Sequence, residues 1–319
     1  MTDIPDALTR TTLRLPSDLH RRLKMTAAAF GTTSEAILVE AVRRELERCG
    51  SAHLRAVTIP SSMNAVLAEL FLQSMPTFAL IKDQRARIVW GNAFVERALE
   101  VSLRDIVGST ITDLGFTDGI QKETILENIQ TVLRGRGALM SKEGMHLKGL
   151  GKVTVRAQRY TFNDTMLGDI SFVENDIRDD SYPTMPDVLR RIQQTTMEPT
   201  VEPLLVPFLD AAPVAIAIKR PLPGDSEIVW GNTVYLQVIE RKAADTFGRT
   251  TTDVLELPHD HPILLRENEV AQTGRVRMSK EKLHHHEPRW SLRFPIYDAQ
   301  GDIALVGVVS PDFQNATSR

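Results

Sequence analysis

The sequence predicts an α+β protein built from a small N-terminal segment and two copies of one larger module. The main observation is a repeat, because the pentapeptide Ile-Val-Trp-Gly-Asn at 88–92 recurs unchanged at 228–232. Polar and apolar side chains alternate at 153–156 and at 290–293, which predicts half-buried antiparallel strands. We therefore expect two related modules, each with an antiparallel sheet.

Composition and charge exclude several classes of protein. The 319 residues include 38 Lys and Arg against 41 Asp and Glu, a net charge of -3, so the chain is not a uniformly basic nucleic-acid coat. The single cysteine, Cys49, excludes a disulfide framework and suits a reducing compartment. The first ten residues lack the apolar stretch of a signal peptide. We expect a cytoplasmic protein without a membrane segment.

Further matches define the extent of the repeat. The tetrapeptide Met-Ser-Lys-Glu at 140–143 recurs at 278–281, Val155-Arg156 is aligned with Leu292-Arg293, and Gly168 is aligned with Gly307. The modules are placed at 65–176 and 204–313, separated by a linker at 177–203 that contains one helix. A linker at 51–64 precedes the first module, and 314–319 form a tail. Each module is predicted to hold two strands, several helices and three closing strands, which gives a five-stranded sheet.

The N-terminal segment, residues 1–50, matches neither module. Residues 9–15 alternate as a short strand, with Arg10, Thr12 and Arg14 on one face. Two amphipathic helices follow, and a capping box at Thr32 and Glu35 begins the second. Such a small unit cannot bury enough apolar surface alone, so we expect two chains to pair their strands and helices.

This segment resembles the ribbon-helix-helix family of dimeric DNA-binding domains. The resemblance rests on the order and spacing of its strand, its first helix cap, a glycine and its second helix cap. The resemblance implies that Arg10, Thr12 and Arg14 contact bases in the major groove. It also implies that Thr33 and Ser34, at the start of the second helix, hold a DNA phosphate, which agrees with anion binding at helix N-termini. The alternative interpretation is a unit that serves only for dimerisation.

The order of strands and helices in the repeated module resembles the PAS family of sensory domains. The residues that carry the resemblance are the repeated pentapeptide, the helix after it, and a glycine (Gly108 or Gly248) followed by a further helical segment and three strands. It implies a ligand-binding or partner-binding role and a helix before the sheet, expected here near 61–73. Asn92 and Asn232 are expected to be helix N-caps.

Cofactor chemistry has few candidates. A cysteinyl-flavin site needs a cysteine inside a module, and Cys49 lies outside both. Haem needs an axial ligand, for which His261 at a predicted helix start is the nearest candidate. His284 and His286 are the candidates for a metal, and a solvated turn is the alternative interpretation of that histidine run. No nucleotide-binding loop, zinc-protease helix or nucleophile elbow is present in the sequence, so no enzymatic activity is expected.

The sequence therefore predicts a homodimeric, sequence-specific transcriptional regulator that binds double-stranded DNA and can form higher oligomers on it. We accordingly expect the cytoplasmic protein to be associated with the nucleoid. Its tandem PAS-like modules would sense a small molecule or a redox signal, or bind a protein partner, and so modulate operator binding. The alternative is a PAS-based scaffold or co-regulator in which the N-terminal segment serves mainly for dimerisation.

Overall fold

The structure is a computed structural model that describes residues 63–174 and 201–311, with short gaps at 112, 115–118, 136, 164, 283–287 and 299–300. The predicted DNA-contacting residues, the histidine run and the predicted linker helix lie outside the described residues. The described parts of both modules belong to one compact unit.

The first module begins with a helix, α1 (Ala65–Ser74), and contains a five-stranded antiparallel sheet. Its strands are β1 (Phe78–Lys82), β2 (Ile88–Gly91), β3 (Ala138–Leu147), β4 (Gly151–Phe162) and β5 (Met166–Val173). Between β2 and β3 lie α2 (Ala93–Leu99), α3 (Leu103–Ile106) and α4 (Gly119–Gly135).

The second module repeats this arrangement, beginning with α5 (Glu202–Asp210). Its strands are β6 (Ala215–Leu222), β7 (Asp225–Gly231), β8 (Arg277–Glu281), β9 (Arg289–Tyr297) and β10 (Ile303–Ser310). Its helices between β7 and β8 are α6 (Thr233–Val238), α7 (Thr251–Leu255) and α8 (Pro262–Thr273), with a 3₁₀ turn at Ala243–Asp245.

The strand order is the same in both sheets, β2-β1-β5-β4-β3 and β7-β6-β10-β9-β8. All paired strands are antiparallel. These two five-stranded sheets flanked by helices confirm the predicted α+β class and fit PAS folds. α5 was not predicted, because its two prolines and its apolar side chains read as part of one long apolar run.

The strand register corrects one pairing of the repeat. Arg159 pairs with Leu139, and Arg293 pairs with Arg277, so Arg293 corresponds to Arg159 and not to Arg156. The β3–β4 connection is longer than its counterpart, since Glu143 and Arg159 are 16 residues apart and Glu281 and Arg293 are 12 apart. One constant sequence offset between the two modules therefore cannot align both strands of this hairpin.

A buried asparagine joins the first helix, the first strand and the next helix of each module. Asn92 caps α2 as expected, and its Oδ1 accepts hydrogen bonds from the backbone N–H groups of Val95 and Ala79. Its Nδ2 donates to the carbonyls of Leu72, Met75 and Thr77, at 2.8–3.0 Å. Asn232 makes the five corresponding contacts in the second module. One side chain thus positions the end of the first helix against the sheet.

The first helix of each module packs on the sheet of the other module. The ring of Phe71, on α1, lies 5.2 Å from that of Phe294, on β9. The ring of Phe208, on α5, lies 5.6 Å from that of Tyr160, on β4, whose hydroxyl donates to the Phe208 carbonyl at 2.8 Å. Tyr160 and Phe294 are equivalent, because each pairs with a glycine of the last strand, and a Cβ on either glycine would overlap the aromatic ring. The two modules therefore exchange their first helices, and each first helix makes an equivalent contact with the sheet of the other module.

Among the described helices, none is long and apolar enough to cross a membrane.

We predict that Asn92→Ala lowers the free energy of unfolding by about 2–4 kcal/mol, because it removes a helix cap and leaves buried backbone groups unpaired. Urea unfolding followed by circular dichroism measures the change. Ser102→Ala is the matched control, since Ser102 occupies an N-cap position but makes no capping hydrogen bond with its side chain. Equal unfolding midpoints for the two variants would contradict the assigned role of Asn92.

Candidate functional site

The inner face of the first sheet ends in a cluster of buried charges. Lys82, on β1, donates to Asp169, on β5, at 2.6 Å, and the two side chains are 1% and 4% exposed. Arg159 donates to Asp169 at 3.2 Å and makes a bidentate pair with Glu143, its second bond being 2.8 Å long. Each buried cation in this cluster therefore has an anionic partner, as its burial requires.

Asp169 is the centre of this cluster. Burial by itself would raise the pKa of its carboxyl group, but the Lys82 ammonium and the Arg159 guanidinium outweigh that effect and hold the pKa well below its ordinary value. The Ser171 hydroxyl also donates to Asp169, at 2.6 Å. The carboxylate is therefore ionised at neutral pH and balances two cations.

The second module has a related cluster with a different anion. Lys219, which corresponds to Lys82, donates to Glu267 on α8 at 2.6 Å. Arg293 makes bonds of 2.6 and 2.7 Å to Glu281, in the same way that Arg159 binds Glu143. Burial opposes ionisation of Glu281, but the Arg293 guanidinium outweighs it and lowers the pKa of the carboxyl group.

Two exchanges explain the difference between the clusters. Val308 stands at the register position of Asp169, since Asp169 pairs with Leu80 and Val308 pairs with Ala217. Glu267 lies 138 residues after Ile129, the offset that also relates Glu143 to Glu281. The anion that pairs with the buried lysine is therefore on a strand in the first module and on the facing helix in the second.

A cavity of about 70 Å³ lies on the inner side of the second sheet. Its accessible surface is mainly apolar, and the apolar residues that line it include Val238, Ile239, Leu255, Ile263 and Val308. The lining also includes the polar residues Lys219, Tyr235, Glu281, Ser291, Arg293 and Ser310.

Small residues on β6 account for this space. Ala215 and Ala217 stand where the first module has Phe78 and Leu80, because Phe78 pairs with Ser171 and Ala215 pairs with the equivalent Ser310. In the first module the Phe78 ring packs edge-on against Phe94, with centroids 5.0 Å apart. The same region is thus filled by side chains in the first module and open in the second.

Two residues that line the cavity each have a buried polar group without a partner among the described residues. The Tyr235 hydroxyl and the Arg293 Nε are buried and make no hydrogen bond there. The Arg293 Nε lies 3.6 Å from the nearest Glu267 oxygen, which is too far for a hydrogen bond. Gly231 makes room for the Tyr235 ring, since a Cβ at that glycine would overlap it. The cavity between the sheet and the helices is therefore a candidate binding site on the evidence of its position and its apolar lining.

The predicted site residues are only partly represented in the described chain. His261 is the N-cap of α8, and its Nδ1 accepts a 3.3 Å hydrogen bond from the Ile263 N–H, which accounts for a histidine at this position. The predicted metal candidates His284 and His286, the base-contacting Arg10, Thr12 and Arg14, and the phosphate-binding Thr33 and Ser34 lie outside the described residues.

Sequence reasoning missed both charged clusters and the cavity. Strand alternation places Glu143 and Arg159 on the inner face, but charged side chains are not expected there. The sequence does carry a signal for the cavity. When Lys82 is aligned with Lys219, the large residues Phe78 and Leu80 of the first module correspond to Ala215 and Ala217 of the second.

No family model matches the sequence, and no curated protein matches it either. Among solved structures, the chain is similar to the PAS domain of the Cronobacter turicensis quorum-sensing receptor RpfR in complex with BDSF, at 13% identity and a TM-score of 0.29. That alignment covers 32% of this chain and 96% of the other.

The chain is also similar to an RNA-binding light-oxygen-voltage receptor, at 12% identity and a TM-score of 0.31, over 74% of this chain and 95% of the other. The PAS domain of Bordetella pertussis BvgS matches at 16% identity and a TM-score of 0.29, over 39% and 90% of the two chains. At these levels the comparisons concern the fold and identify no ligand.

We predict that Asp169→Asn lowers the free energy of unfolding by about 3–5 kcal/mol, because it leaves the buried Lys82 without its anion. Urea unfolding measures the loss. Glu256→Gln is the control, since the Glu256–Arg241 pair is exposed and such pairs contribute little. A loss no larger than that of the control would show that the cluster does not stabilise the fold.

Acid should destabilise the protein through the same carboxylate. Because the folded-state pKa of Asp169 is depressed, its contribution is complete above the unfolded value of about 4 and is lost as pH falls through the folded value. We expect the unfolding free energy of the parent protein to fall more steeply below about pH 4 than that of Asp169→Asn. Urea titrations from pH 7 to pH 3 test this, and parallel profiles would contradict it.

Proposed function

From these two PAS-like modules, we propose that the protein is a dimeric, DNA-binding transcriptional regulator whose second module senses a small molecule. The N-terminal segment binds the operator, the second module binds the signal in its cavity, and the first module has a structural or partner-binding role. The proposed activity is binding rather than catalysis.

The charge pattern of the N-terminal segment is the observation that supports DNA binding. From Arg10 to Phe30 there are five basic residues and one acid, a local charge of +4 in a chain of net charge -3. The sequence predicts a short strand with Arg10 and Arg14 on one face, and a two-stranded ribbon fits the major groove, where arginine can make paired hydrogen bonds to guanine.

The contrast between the interiors supports sensing by the second module. The space beside Phe78, which packs against Phe94 in the first module, is open beside Ala215 in the second. Because this space is filled in the first module, we assign that module a role in packing or protein binding. The protein-binding role of the scaffold alternative is thus kept, but only for the first module.

A short route connects the cavity to α1, the first helix of the first module. Arg293 lines the cavity on the inner face of β9, and its neighbour Phe294 projects from the outer face against Phe71 of α1. α1 is the first described helix and follows the N-terminal segment in the chain. A ligand that moves β9 would shift α1, and regulation requires that the ligand bind the two resulting states with different affinities.

We predict that Arg10→Ala with Arg14→Ala abolishes specific duplex binding while the dimer persists. Electrophoretic mobility shifts on fragments recovered by genome-wide mapping measure binding, and light scattering measures the dimer. Mapping with and without residues 1–50 identifies the operator, and the parent protein should lose affinity as salt rises, since phosphate contacts release counterions. Specific binding by the double variant would contradict the assigned contacts.

A further inference from the structure

The charged side chains around the second-module cavity are already paired with protein groups. Lys219 donates to Glu267 at 2.6 Å, and Arg293 makes its bonds of 2.6 and 2.7 Å to Glu281. Arg289 also lines the cavity and has a partner of its own. These pairs neutralise the buried charges without a ligand, so the charge balance does not call for an ionised molecule.

The uncharged polar groups of the lining are bonded to each other or are out of reach. The hydroxyls of Ser291 and Ser310 share a hydrogen bond of 2.7 Å. The Tyr235 hydroxyl is buried, as is the Arg293 Nε, and both atoms have almost no accessible surface. A molecule in the cavity therefore meets mainly carbon atoms.

These carbon atoms come from both layers of the module. Ala215 and Val308 belong to the strands β6 and β10, whereas Val238, Leu255 and Ile263 belong to the helices α6, α7 and α8. A buried water molecule needs about two to four polar partners. Since the accessible lining is mainly apolar, it favours an apolar molecule over water.

The first module shows which kind of group fits the equivalent region. Phe78 supplies an apolar ring there, edge-on to the ring of Phe94. Ala215 stands at the register position of Phe78, so the second module has a methyl group in place of that ring. A free apolar molecule can therefore occupy space that the chain itself fills in the first module.

The volume of the cavity limits the size of that molecule. An apolar cavity of about 150 Å³ stays dry and takes up benzene. By proportion, the cavity of about 70 Å³ beside Ala215 has room for about three non-hydrogen atoms.

We propose that the second-module cavity binds a small, uncharged, hydrocarbon-like molecule of about three non-hydrogen atoms, held by apolar contacts and not by hydrogen bonds. The inference rests on the proposed function, because it names the chemical class of the signal that the second module senses. The ligand class follows from the apolar lining, the internal pairing of the polar side chains and the volume.

The test is a ligand-observed NMR titration of the full-length chain with propane, ethanol and formate, which have equal numbers of non-hydrogen atoms. We expect propane to bind at least about tenfold more tightly than ethanol, because a hydroxyl buried against carbon atoms loses its hydration. Formate should not bind in the cavity, because burial of its charge is still less favourable.

Three variants show whether propane binds in the cavity. Ala215→Phe introduces the side chain that Phe78 supplies in the first module and should abolish propane binding. Ala215→Val fills the space only in part and should weaken binding several-fold, which keeps the test valid if the larger side chain prevents folding. Ala244→Phe is the matched control, because it adds the same ring at an exposed position outside the cavity and should leave propane affinity unchanged. Circular dichroism checks that each variant is folded.

The outcomes separate the ligand class from the proposed regulation. Propane binding that both substitutions of Ala215 leave unchanged, or the absence of propane binding, would overturn the inference. If ethanol or formate binds at least as tightly as propane and Ala215→Phe removes that binding, the ligand class is wrong and sensing by the cavity stands. If propane binds as expected but does not change operator affinity in mobility shifts, the ligand class is right and the proposed regulation is wrong.

Discussion

The central strands of each sheet, β1 and β5 or β6 and β10, are buried on both faces, and the need to cover both faces determines the arrangement of the two modules. The inner face is covered by the module's own helices, from α2 to α4 in the first module. The outer face carries buried side chains such as Ile170 and Phe294, and the first helix of the opposite module covers part of it. The buried asparagine that follows the second strand of each module supports this exchange, because its side chain bonds the last carbonyls of the first helix and holds that end on its own module while the rest lies on the other.

The two modules keep this framework and differ in what their interiors contain. Both bury a lysine and an arginine at one end of the inner face, with an equivalent arginine–glutamate pair. In the first module the remaining anion, Asp169, is on the sheet, and large apolar side chains fill the neighbouring space. In the second module the anion is Glu267 on α8, and the space beside Tyr235 is open. The two copies of the fold thus share one framework, and they differ in that the space filled beside Phe78 is open beside Ala215.

Much of the fold could be predicted from the sequence, because the repeat and the alternation of β4 and β9 are local signals. The capping roles of Asn92 and Asn232 were also predictable from their position before a helix. The register of Arg293 was not, because a hairpin of different length separates it from Glu281. The charged clusters were not predictable either, since a pattern of single residues shows which face a side chain occupies but not which partner neutralises it. The exchange of helices depends on contacts between distant segments, such as Phe71 with Phe294, for which the sequence carries no local signal.

The exchange of first helices also has a consequence for biosynthesis. The helix that covers the outer face of the first sheet, Glu202–Asp210, is translated only after every strand of that sheet has been made. The helix that covers the second sheet, Ala65–Ser74, is already present when the second sheet emerges from the ribosome. Chains fold from the N-terminus during synthesis, so Tyr160 and Phe162 of the first module stay uncovered until this helix has been made. The second module can complete its packing as soon as its last strand is available. Completion of the first module is therefore timed by the start of the second.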